Sequence, residues 1–313
     1  HRKDIARHIA QAIINKELTG IIAWNSNGII VAETIQKMWI VLRPRNGANA
    51  EGQQEEKTLH CGEDSAQPGH SRRYLCSMPA QNPLTAAVRS YKAAFTGLSP
   101  EAWVLAGGYD SLDWFKDRTR SPSAVVDLEG VAELRGIREH DGGLEIGAMT
   151  TLTEVAESPE LRSRYGLLAK AASVVASPQI RNAGTLGGNV CQDTRCWYYR
   201  SGWPCYRAGG NTCYAAAPQA MNREHCIMGR SRCVAVNPSD TAPALVALDA
   251  EMVIRNARGE RTVDAADFFM PPSIDIRRMT ILEPGDLLTA IRIPETWASA
   301  DFYFEKVSDR QSW

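Results

Sequence analysis

The alternation of apolar and polar positions divides the chain into three textures. Residues 3–17 have the spacing of a short amphipathic helix, two apolar stretches follow, and residues 46–70 form a linker-like tract rich in Gly, Gln, Glu and Ser. From Met78 the pattern tightens. Residues 85–96 read as a helix, 102–105 as a short buried strand, Gly107-Gly108 as a turn, and 111–117 as the next helix, together a strand, glycine turn and helix unit. Residues 124–128 and 144–146 read as strands, with a turn at Asp141-Gly142-Gly143 between polar flanks. Helices are expected over 152–157 and 161–176, the second stopping before Ser177-Pro178 because the residue before proline avoids the helical region.

Beyond residue 240 the period changes. An apolar, Ala-rich segment at 241–248 precedes an alternating run at 251–255, a turn over 256–260 containing Gly259, and further alternating segments at 287–293 and 302–307. Period-2 runs separated by turns predict an antiparallel sheet, so the fold class is α+β with a small strand-turn-helix part and a larger part built on that sheet.

Composition narrows the classes without deciding among them. With 35 basic and 36 acidic residues among 313, the net charge of -1 offers no general attraction for nucleic acid or an anionic membrane. Residues 19–42 look apolar, but Asn25, Ser26, Asn27, Glu33, Gln36 and Lys37 interrupt any run long enough to span a bilayer. Six of the eight cysteines, Cys191, Cys196, Cys205, Cys213, Cys226 and Cys233, crowd into one stretch, while Cys61 and Cys76 stand apart. Such clustering in a chain large enough to need no staples points to metal or redox chemistry in a cytoplasmic protein. Without a CxxC pair, a zinc ribbon is disfavoured, but four thiolates on a long loop can hold zinc or an iron-sulfur cluster.

Two glycine-rich loops carry the other candidate chemistry. Ala106-Gly107-Gly108-Tyr109-Asp110 follows a strand, and Asn182 to Asn189 holds three glycines with Thr185 and two amides. Each can turn backbone N–H groups toward an anion, and two such loops suit an extended diphosphate ligand. Neither has the dinucleotide-binding or P-loop spacing.

The runs SPQIRNAGTLGGNVCQDTRC, NPSDTAPALVALDA, PGDLLTAIRIP and FYFEKVSDRQSW resemble the FAD-binding subunit of molybdenum hydroxylases over about residues 78–313. The group includes the flavin parts of xanthine dehydrogenase and carbon monoxide dehydrogenase, and the cysteine loop resembles the insertion of the 4-hydroxybenzoyl-CoA reductase type. The resemblance implies a FAD-binding domain over 78–294 with an iron-sulfur loop at 191–233. Residues 295–313 would begin a C-terminal domain that the chain lacks, and 1–77 would be an unmatched extension, non-native or disordered and carrying no chemistry.

By the same resemblance, FAD is contacted by Val104, Leu105, Ala106, Gly107, Gly108, Tyr109, Asp110, Ser111, Thr185, Gly187, Gly188, Asn189, Asp240, Leu288 and Lys306. The same resemblance gives Cys196, Cys205, Cys213 and Cys233 as ligands of a 4Fe-4S cluster, with Cys191 and Cys226 as spares and Cys226 in place of Cys233 as the alternative. The family has a short hydroxyl residue where this chain carries Tyr109, and a leucine at Ser111. No side chain is expected to act as an acid or base. The implied role is electron transfer beside a molybdopterin-binding large subunit and a 2Fe-2S small subunit, with NAD or another acceptor. The alternative is a zinc-stabilised interaction module without flavin.

Overall fold

The computed structural model describes residues 101–226 and 231–306, together with positions 94, 95, 98 and 99 and the strand backbones at 22–24, 29–34, 38–43 and 84–87. The expected helix at 3–17, the linker at 46–70, Cys61 and Cys76 lie outside them. The described strands are β1 (Ile22–Trp24), β2 (Ile29–Thr34), β3 (Met38–Arg43), β4 (Leu84–Ala87), β5 (Ala102–Leu105), β6 (Ala124–Asp127), β7 (Ile137–His140), β8 (Gly143–Gly147), β9 (Glu251–Asn256), β10 (Gly259–Asp264), β11 (Leu287–Ile293) and β12 (Asp301–Lys306). They form three sheets: a parallel one in the order β4-β6-β5, an antiparallel one in the order β10-β9-β11-β8-β7, and β1-β2-β3-β12. The α+β class is therefore borne out.

In the parallel sheet, β5 forms where the sequence placed a short buried strand. β5 runs into Gly107-Gly108 and then helix α1 (Tyr109–Lys116), which crosses over to β6. One expectation fails here: residues 85–87, read as the start of a helix, belong to β4 and pair in parallel with β6, and among the described residues of that stretch Ala94 and Phe95 are helical. Pairing with a strand some 40 positions away outweighs the helical preference of Leu84-Thr85-Ala86-Ala87.

A second departure lies between the sheets. Helix α2 (Leu152–Glu157) matches its expected bounds and opens on a capping box between Thr151 and Glu154. The single helix expected at 161–176 is instead two, α3 (Pro159–Arg164) and α4 (Gly166–Ser173). Ser158 caps the first by accepting from the Leu161 N–H, and Pro159 fits its first position. The break falls at Tyr165, which leaves helical geometry so that its buried ring can send the hydroxyl 3.1 Å to the Pro294 carbonyl oxygen.

The main core lies between the five-stranded sheet and the helices, and includes Ile146, Leu168, Leu245, Ile254 and Ile291. Burying each such side chain contributes roughly 1.5–3 kcal/mol. β11, the middle strand, is buried along nearly its whole length, whereas β10 at the edge exposes Glu260 and Arg261. A register shift between Leu288 and Ala290 leaves a bulge at Thr289, whose carbonyl accepts from the Ala148 N–H. A smaller core of Val126, Leu128, Leu134 and Met149 seats the parallel sheet, and a third, of Trp114, Tyr199 and Cys205, joins α1 to the cysteine-rich stretch. No helix among the described residues is long and apolar enough to cross a membrane.

Candidate functional site: two glycine loops and a cysteine pocket

Both glycine loops are built by local geometry that only glycine allows. Gly108 takes φ +82°, the left-handed conformation that turns the chain from β5 into α1. The first-turn N–H groups of α1 have no acceptor within the helix and carry its positive end. At Gly107 the constraint is space, since a Cβ there would stand 2.1 Å from the carbonyl oxygen of Ala183 in the second loop. In that second loop, α5 (Pro178–Ala183) is followed by α6 (Leu186–Val190), capped by Thr185 accepting from the Gly188 N–H at 3.0 Å. A Cβ on Gly187 would meet Cβ of Ala148 at 2.7 Å. The two loops thus touch backbone to backbone, with a helix start on each side.

They enclose one cleft of about 320 Å³. Of the residues singled out in the sequence, Val104, Ala106 to Ser111, Thr185, Gly187, Gly188, Asn189 and Leu288 line it. Leu105 lies behind, its carbonyl accepting from the Leu128 N–H. Asp240 and Lys306 do not line it and meet each other instead, Nζ to Oδ2 at 2.6 Å. Burial pushes the Asp240 carboxyl up, and the Lys306 ammonium opposes that rise. Asn189 is buried, and its Oδ1 accepts from the hydroxyls of Ser239 at 2.6 Å and Thr241 at 2.7 Å, tying the second loop to the segment that carries Asp240.

The two departures from the family pattern have a local explanation. Tyr109 keeps its phenol out of the loop: the side chain is exposed and its hydroxyl donates 3.2 Å to the Gln179 carbonyl oxygen, bridging to the second loop. Ser111 Oγ accepts from Trp103 Nε1 at 2.9 Å. Asp110 likewise turns inward, accepting from Trp114 Nε1 at 3.1 Å and Arg200 Nη2 at 2.7 Å.

The sequence reading missed several lining residues, Asp286 and Asp193 among them. Asp286 is buried and accepts from Asn256 Nδ2, both terminal nitrogens of Arg261 and the Glu283 N–H. Burial alone would raise its carboxyl, but these donors outweigh it and hold the group below the ordinary value. Its place in PGDLLTAIRIP, two positions before Leu288, was the available signal.

A second, smaller pocket lies in the cysteine-rich stretch. Cys196, Cys205, Cys213 and Cys233 all line it, with Tyr198, Tyr199, Tyr214 and Arg207. Cys191 lies on the wall of the larger cleft, and Cys226 lines neither pocket. Burial raises the thiols of Cys196 and Cys233, and neighbouring cysteines add to the rise, while Arg207 lowers that of Cys233. Thiolates gathered there need a compensating cation. Among the described residues no three His, Cys, Asp or Glu side chains stand as a group that could hold a metal ion.

The two sites share a wall. α7 (Trp197–Arg200) packs against α1, with the rings of Trp114 and Tyr199 5.8 Å apart and the Arg200 guanidinium 4.2 Å from the Trp114 ring centre. Arg120 Nη2 donates 2.6 Å to the Tyr199 hydroxyl. An apolar wall with Leu128, Met149 and Leu288, facing two helix starts, fits a ligand with a flat ring system at one end and a diphosphate in the middle, as FAD has.

Comparison with known proteins agrees. The chain is 36% identical over 219 residues to the aldehyde oxidoreductase FAD-binding subunit PaoB of Escherichia coli, covering 68% of each chain. It is 30% identical to the carbon monoxide dehydrogenase medium chain of Hydrogenophaga pseudoflava, over 67% of this chain and 57% of that one. The solved structure of that bacterium's carbon monoxide dehydrogenase, in a form lacking the Mo-pyranopterin moiety of its cofactor, aligns with a TM-score of 0.55 and 27% identity over 75% of this chain and 67% of its own. The chain therefore spans between just over half and about two thirds of the length of these proteins. Residues 83–296 match the family described as the FAD binding domain in molybdopterin dehydrogenase. The chain belongs to that family.

Proposed function

We propose that the chain is the flavin-carrying, electron-transfer subunit of a molybdopterin-dependent dehydrogenase. In this reading FAD occupies the cleft between the glycine loops and a 4Fe-4S cluster sits at Cys196, Cys205, Cys213 and Cys233. The observation that carries it is the backbone contact of the two loops, Gly107 against Ala183, which aims two helix starts into one cleft that the cysteine pocket adjoins.

FAD, when bound, exchanges two electrons and so links one-electron clusters to a two-electron acceptor such as NAD. The chain's own residues bind and orient. Backbone N–H groups at Gly107 and Gly108 supply donors to the diphosphate, Thr185 holds the second loop in shape by accepting from the Gly188 N–H, and Leu288, beside the bulge, covers the ring. Lys306, paired with Asp240, places a positive charge that offsets charge gained on reduction. No side chain here has to move a proton to a substrate, whose chemistry belongs to a molybdopterin-binding large subunit reached through a 2Fe-2S small subunit. The cytoplasm suits a protein that must keep its thiols reduced.

The zinc-module alternative has nothing in its favour. The chain belongs to a flavin-binding family, which a module without flavin does not explain.

The test is anaerobic purification of the full chain with assay of flavin, iron and acid-labile sulfide. Wild-type protein is expected to carry all three. Cys205→Ser should lose iron and sulfide and keep FAD, while Cys226→Ser should keep everything. Protein that takes up no flavin overturns the proposal, and iron unchanged in Cys205→Ser overturns the ligand set.

A further inference from the structure

Arg207 is the charged side chain in the wall of the cysteine pocket, and it is almost wholly enclosed, 2% exposed. Two of its three guanidinium nitrogens are anchored. Nη1 donates 2.7 Å to the Ile276 carbonyl oxygen, and Nη2 donates to the Asp193 carboxylate. The ring of Tyr199 lies 5.3 Å from the guanidinium carbon. The third nitrogen, Nε, is buried and has no hydrogen-bond partner.

A buried N–H left without an acceptor costs about 1–3 kcal/mol, more in a charged group. The guanidinium is fixed from two directions, and its remaining donor belongs to a side chain that lines the pocket together with four cysteines, within reach of an acceptor seated there. The acceptor must tolerate a full positive charge at close range, which the sulfurs of an anionic iron-sulfur cluster do. Asp193 also lines the flavin cleft, so a single ion pair stands between the two proposed redox sites.

We infer that the Nε–H of Arg207 donates to a sulfur of the cluster and raises its reduction potential, with Asp193 holding the guanidinium in position. The inference rests on the proposed cluster. Reduction adds one electron to a body already negative and breaks no bond, so an N–H···S bond and a nearby cation both favour the reduced form. Arg207 is a positioning and tuning residue that takes no part in substrate chemistry.

The test is a dithionite titration of the anaerobic full chain, followed by electron paramagnetic resonance, on wild type, Arg207→Gln, Arg207→Lys and Asp193→Asn. Iron and sulfide are measured first in each. Arg207→Gln is expected to shift the electron-exchange equilibrium at least tenfold toward the oxidised cluster, which is 59 mV for a one-electron couple. Arg207→Lys keeps the charge without the planar donor and should fall by less, as should Asp193→Asn. Variants with wild-type iron and an unchanged midpoint overturn the inference. If Arg207→Gln loses its iron, Arg207→Lys decides by the same criterion. Wild type without iron and sulfide overturns the cluster reading, and this inference with it, before any variant is compared.

Discussion

The flavin cleft and the cysteine pocket are neighbours built by opposite means. The cleft is made of backbone: strand ends, helix starts and glycines whose missing Cβ atoms let two loops touch. The pocket has little regular structure, a four-residue helix and 3-10 turns at Tyr206–Ala208 and Tyr214–Ala216, and is held by side chains. Arginines lie over aromatic rings there at Arg200 on Trp114, Arg207 on Tyr199 and Arg232 on Tyr206. A backbone-built site fails all at once when one atom is added, whereas a side-chain-built site should fail by degrees.

Gly107→Val should break the contrast most severely. Its new side chain meets the Ala183 carbonyl, so a stability loss of about 3 kcal/mol or more and at least about tenfold weaker FAD retention are expected. Flavin-to-protein ratio and thermal melts check this, and normal flavin content would show that the loops need not touch.

Asp110→Asn probes the shared wall, where the carboxylate joins Trp114 in the first loop's helix to Arg200 in the cysteine stretch. Both partners are largely enclosed, so a loss of about 1–3 kcal/mol is expected, with cluster content falling while the loops still hold flavin. Equal loss of both cofactors would mean that the two sites stand or fall together.

The smallest effect is a pH dependence at Asp286. Its native pKa lies below the ordinary 3.8, so the stabilisation is complete above the unfolded value and is lost as pH falls through the native one. Asp286→Asn should therefore be less stable than wild type by about 1 kcal/mol at neutral pH, because the partner Arg261 is partly exposed, with the difference vanishing in acid below the native pKa. Denaturant melts at several pH values measure it.

The same contrast explains what could be read from the sequence. The glycine loops, β5 and α2 were legible because spacing alone encodes backbone turns, caps and period. The cysteines were legible as a crowd, and the four singled out do line one pocket. Arg207, Asp193 and Asp286 were not, since many arginines and aspartates occur and only the tertiary fold selects those that face inward. β4 was misread because its partner is distant in sequence, and the 161–176 helix because the docking of Tyr165 onto Pro294 is a long-range event.

The Asn189 clasp bears on what the cysteine-bearing stretch costs the fold. Its Oδ1 receives the hydroxyls of Ser239 and Thr241 from 50 and 52 positions away, so the stretch carrying the cysteines leaves and re-enters the fold at nearly one point. Closing a loop across a fixed gap costs only about 0.6 kcal/mol for each doubling of its length. The length of the cysteine-bearing stretch therefore adds little to the cost of holding its two ends together at Asn189.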